Sequence, residues 1–97
     1  MLEIAKNIYF PVRVKGRELK LIPAKIKFAD KITGAVRLIK ADSPKTFADV
    51  VSIILSENKE GIRYSTDWVV KNVTTEEAFT LITEYAKWLQ SLSNLPN

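Results

Sequence analysis

Neither histidine nor cysteine occurs among the 97 residues of this chain. Their absence removes the side chain that titrates near neutral pH, the commonest metal ligand and every histidine-containing triad. It also excludes disulfides and any thiolate-held zinc or iron–sulfur centre. Carboxylates, lysines and hydroxyls remain. One pair has a catalytic spacing, Glu18-Leu19-Lys20. On a strand, E-x-K puts both side chains on one face, as a nuclease needs to hold a metal ion and a water. Such a site also needs an acidic ligand upstream, and only Glu3 lies there. An exposed hairpin charge pair is the plainer reading. Asp30, Asp42, Asp49 and Asp67 are scattered, and two of them suit helix starts. Glycines at 16, 34 and 61 cannot build a phosphate-gripping loop. The serines have no neighbouring base apart from lysine. The chain is therefore expected to be no enzyme and to hold neither cofactor nor metal.

Binding is the better use of these side chains. Residues 1–46 carry eleven Lys/Arg and four Asp/Glu, whereas residues 47–97 carry four and seven, giving the net charge of +4. A basic half joined to an acidic half fits an acidic partner or head-to-tail self-association; a lysine-rich solvated surface is the bland alternative. The basic patch comprises Arg13, Lys15, Arg17 and Lys20 around one turn, with Lys25, Lys27 and then Lys31 following. Tyr9 shares the outward face of Arg13. Nucleic acid is thus a second, less favoured partner, since no known nucleic-acid signature is present. Trp68, Phe79 and Trp88 are candidate partner anchors, because aromatic side chains dominate binding hot spots; packing in the core is their alternative.

These residues need elements to position them. Ile8, Phe10, Val12 and Val14 alternate with Tyr9, Pro11 and Arg13, which predicts a strand. Pro11 has no N–H, so this is an edge strand with position 11 turned away from its partner. Gly16-Arg17 suits a type II′ hairpin turn. That register sets Val14 against Leu19 and Val12 against Leu21, and it leaves Arg13 opposite Lys20. A bound phosphate or carboxylate would relieve this like-charge pair. A turn at Lys15-Gly16 is rejected because it pairs Val14 with Arg17. Beyond Leu21 the apolar parity shifts to Ile22, Ala24, Ile26 and Phe28, as a bulge near Pro23 would produce.

Residues 31–40 fit a helix through Ile32, Ala35, Val36 and Ile39, with Asp30 as N-cap, and fit strand alternation equally well; we take the helix. Ser43 and Pro44 open a clearer helix, with Phe47, Val50, Val51, Ile54 and Leu55 on one face. Asn58 to Gly61 is a polar turn. Residues 66–72 are either a short capped helix or a strand. Thr74 and Glu77 form a capping box before the strongest helix, whose apolar face holds Ala78, Leu81, Ile82, Tyr85, Leu89 and Leu92. Phe79 and Trp88 fall at its two edges, widening the apolar arc so that one edge is expected to meet a partner. Residues 93–97 are expected to fray, since Pro96 cannot continue a helix.

The expected architecture is α+β: one domain over residues 1–97, an N-terminal antiparallel β-hairpin followed by three to four packed α-helices. No secretory signal is seen, and the densest apolar run, Val50 to Leu55, is far short of a membrane span. A cytoplasmic location, without membrane association, is expected.

Taken in order, these elements resemble small tail assembly chaperones of long-tailed bacteriophages. The similar features are the hairpin run Val14-Lys15-Gly16-Arg17-Glu18-Leu19-Lys20-Leu21, the helical middle and the apolar helix from Phe47 to Leu55. The run Asp67 to Phe79, leading into a last amphipathic helix, is the most alike. The pattern covers nearly the whole chain, although such chaperones are often more acidic. The resemblance implies a non-enzymatic protein that coats the tape-measure chain during tail assembly in the host cytoplasm. Its partners would be tape-measure or tail-tube protein, with self-association possible and no catalytic residues to carry over.

Overall fold

A computed structural model describes residues 9–37 and 44–93. It opens with an antiparallel hairpin of β1 (Phe10–Val14) and β2 (Arg17–Leu21). Four helices follow: α1 (Ile26–Arg37), α2 (Pro44–Ser56), α3 (Thr66–Asn72) and α4 (Thr75–Ser93). The fold is therefore α+β, with the strands at the N-terminal end.

The hairpin turn is Lys15-Gly16, one residue earlier than the sequence suggests. Lys15 has φ 50° and Gly16 φ 81°, so both central residues lie in the left-handed region that a type I′ turn requires. The twist of such a turn matches the twist of its strands, and glycine supplies one left-handed position without steric cost. The resulting register pairs Phe10 with Leu21, Val12 with Leu19, Arg13 with Glu18 and Val14 with Arg17. The Arg13–Lys20 clash is replaced by an opposite-charge pair. The mismatch at Val14 costs little, because Arg17 is exposed at the hairpin tip. Leu19 and Leu21 are fully buried, and Phe10, Val12 and Val14 pack against the core.

No bulge occurs at Pro23. β2 stops at Leu21, residues 22–25 form a connection, and α1 begins at Ile26. The parity shift was the start of a helical period: Phe28, Ile32, Ala35 and Val36 face the core at i, i+4, i+7 and i+8. Asp30 sits inside α1 and is not its N-cap, and Gly34 is carried in the helix interior. Ile39 and the Ser43 cap lie outside the described residues, although Pro44 does open α2.

Helix α2 is the centre of the molecule. Phe47, Ala48, Val50, Val51, Ile54 and Leu55 are all buried, and the helix packs on α1, α3, α4 and β2. A helix surrounded this way needs apolar residues around more than one face. Residues 66–72 are helical. Ser65 caps α3 by accepting the Trp68 N–H at 3.0 Å. The capping box of α4 forms in both directions: Glu77 N–H donates to Thr74 Oγ1 at 3.1 Å, and Thr74 N–H to Glu77 Oε1 at 2.9 Å. Helix α4 extends to Ser93; Asn94 to Asn97 lie outside the described residues.

The segment after α2 fastens the hairpin to the helices. Asn58 is buried and uses its side chain three times, donating to the Leu55 and Ile62 carbonyls and accepting the Ile62 N–H. It thereby holds residues 57–60 against β2, where Ile22 N–H meets Glu57 O and Lys59 N–H meets Lys20 O, each at 2.9 Å.

Candidate binding groove between the hairpin and the last helix

Strand β1 touches α4 through Phe10 and leaves a gap along the rest of its length. A groove of about 800 Å³ runs between them. Val51 and Leu55 of α2 lie among its lining residues, together with Val73 and Leu81 from the C-terminal part of the chain. Phe10, Val12 and Val14 line its strand side, and Trp68 lines it from α3. The rims carry opposite charge. Arg13 and Lys15 stand on the hairpin side, and Glu76, Glu77 and Glu84 on α4. Glu77 ionises below its ordinary range, chiefly through the Thr74 backbone and hydroxyl hydrogen bonds, with the Lys15 ammonium adding a smaller effect. Aromatic packing joins β1 to α4: Phe10 lies edge-on to Tyr85 at 5.9 Å and tilted against Trp88 at 5.6 Å.

The three candidate anchors are not gathered at this groove. Trp68 lines it while packing tilted against Tyr64, with ring centres 4.7 Å apart. Phe79 stands against Phe47 at 5.3 Å, beside a second, smaller cleft among α2, α3 and α4. Trp88 packs on Phe10 and Tyr85. Each ring is partly buried against the core.

The basic residues also divide. Arg13, Lys15, Arg17 and Lys20 are exposed on the hairpin, while Lys25 and Lys27 flank the start of α1. Arg13 faces Glu18 and donates to the Gly16 carbonyl at 3.3 Å. The Lys20 and Lys59 ammonium groups lie 6.0 and 5.2 Å from the Tyr9 ring centre. A second catalytic spacing, Ser56-Glu57-Asn58-Lys59, has S-x-x-K form. The Ser56 hydroxyl bonds both backbone groups of Tyr64, while Lys59 lies over Tyr9, so the two do not form a nucleophile and base. Among the described residues no cluster of three or more acidic side chains could hold a metal, and no helix is long and apolar enough to cross a membrane.

The groove itself was hidden from sequence reasoning. Leu81 belongs to the apolar face of α4, and nothing in its spacing shows that it is only half covered. The signal that could have pointed there is the row of Glu76, Glu77 and Glu84 alongside it. Comparison with known proteins finds no matching family model, no similar curated protein and no similar solved structure.

Proposed function

We propose that this chain is a non-enzymatic protein–protein interaction domain that holds another polypeptide, and that it serves as a tail assembly chaperone coating the tape-measure chain of a long-tailed bacteriophage. The observation that carries the binding reading is the groove beside β1, where apolar side chains from β1, α2, α3 and α4 lie between rims that carry charges of opposite sign. Apolar surface left open to water at a concave site is what a binding protein keeps for its client. The resemblance of the hairpin, the apolar helix and the run Asp67 to Phe79 supplies the identity of that client. The nucleic-acid reading drew on Arg13 lying across from Lys20, and with Arg13 across from Glu18 it loses that motive.

The test begins with the locus. A tail-tube gene before this one and a very long tape-measure gene after it are expected. Co-expression with that tape-measure protein should keep it soluble and co-purify the two. An insoluble tape-measure chain, together with duplex-DNA binding whose log K falls by about 0.9 per phosphate contact per log unit of salt, would instead establish the nucleic-acid reading.

A further inference from the structure

We propose that the groove receives an extended client segment as an added strand on the outer edge of β1. The inference rests on the client-holding reading above and names how the client is gripped. The other edge of the hairpin is already covered at its centre. Lys20 N–H donates to Glu60 Oε1 at 3.1 Å, and its carbonyl accepts from Lys59. Lys20 thus turns its backbone groups away from β1. Pro11, its partner across the ladder, turns its own away from β2, and the alternation of antiparallel pairs makes Arg13 do the same. The Arg13 N–H and C=O and the Pro11 C=O therefore point off the sheet on the side of β1. The groove lies along this side, since β1 lines it and no β2 residue does.

A strand laid there takes three hydrogen bonds from these groups. A helix takes none, because its backbone is bonded internally. Every second side chain of the strand enters the groove between Val12 and Leu81. The others stay on the outer face beside Arg13, where a directly opposite carboxylate is favoured. The client segment is accordingly apolar at alternate positions, with a carboxylate at the intervening position opposite Arg13. Pro11 removes one donor, which makes the bare edge a poor template for indiscriminate pairing. Binding then depends on filling the groove as well as on the ladder.

The experiment uses the full chain and blocked seven-residue peptides. Valine occupies positions two, four and six, threonine the two ends, and either glutamate or lysine positions three and five. The glutamate peptide should bind about tenfold more tightly than the lysine peptide and slow hydrogen exchange at the Arg13 amide. N-methylation at its glutamates, whose amides face β1, should weaken binding by about tenfold or more, whereas N-methylation at its valines should leave binding unchanged. Leu81→Asp should abolish binding, and its circular dichroism spectrum reports whether the fold persists; the peptide arms stand without it. Binding that leaves Arg13 exchange unaltered and ignores the methylation pattern would overturn strand addition, as would no binding of either peptide at millimolar concentration. Co-purification of tape-measure protein without Arg13 protection by the peptides sinks strand addition and leaves client holding. Peptide-specific Arg13 protection without co-purification supports strand addition and sinks the tape-measure assignment.

Discussion

The Tyr85 hydroxyl donates a 2.7 Å hydrogen bond to the Ile22 carbonyl, joining the middle of the last helix to the residue that leaves the hairpin. Tyr85 is fully buried, and burial pushes its ionisation above the ordinary value of 10.0. Tyr85→Phe should cost about 1–2 kcal/mol in urea unfolding, because the ring still packs but the Ile22 carbonyl loses its partner. The pH dependence has a definite sign. The raised folded value makes the contribution complete below the unfolded pKa near 10, and it is lost as pH rises above that value. The wild type should therefore lose stability at high pH more steeply than Tyr85→Phe.

The turn offers a stabilising change. Lys15 occupies a left-handed conformation that an L side chain adopts at a cost, and asparagine tolerates it better. Lys15→Asn should raise the melting temperature. Gly16→Ala should lower stability by about 1–2 kcal/mol, through backbone strain, since the space around its Cβ position is open. A melting temperature unmoved by either substitution would contradict the type I′ turn.

Asn58 replaces a stretch of ladder with one side chain. Asn58→Ala should destabilise the fold by about 2–3 kcal/mol, since the Ile62 N–H and the Leu55 and Ile62 carbonyls lose their partners together. Hydrogen exchange should quicken first at Ile22 and Lys59, whose amides bond across the segment that Asn58 holds. Uniform quickening over the whole chain would show that the junction has no local role.

At the start of α4, Thr74→Ala should cost about 1 kcal/mol. Glu77 titrates below its ordinary value of 4.5, with the Thr74 hydrogen bonds as the main cause. A depressed carboxylate contributes fully above its unfolded pKa and is lost as pH falls through the folded value. Wild-type stability should therefore decline below about pH 4.5 more than that of Glu77→Gln. Melts between pH 7 and pH 3 compare the two.

Local chemistry determined a good part of this protein by itself. The Thr74–Glu77 box, Pro44 at the start of α2 and the core-facing set Phe47, Val50, Val51, Ile54 and Leu55 are legible because caps and helical periodicity act within a few residues. Only tertiary structure decided the rest. Arg13 meets Glu18 through a turn whose Lys15 adopts a costly left-handed backbone, and residue types along a strand carry no φ angle. The apolar positions from Ile22 to Phe28 mix two periods, and the helix beginning at Ile26 emerges because Phe28 and Ile32 find the core. Whether Leu81 faces protein or an open groove depends on how far β1 stands from α4. That distance is set by the rings of Phe10, Tyr85 and Trp88, which come from opposite ends of the chain. Periodicity states which face of an element is apolar; packing alone states what covers it.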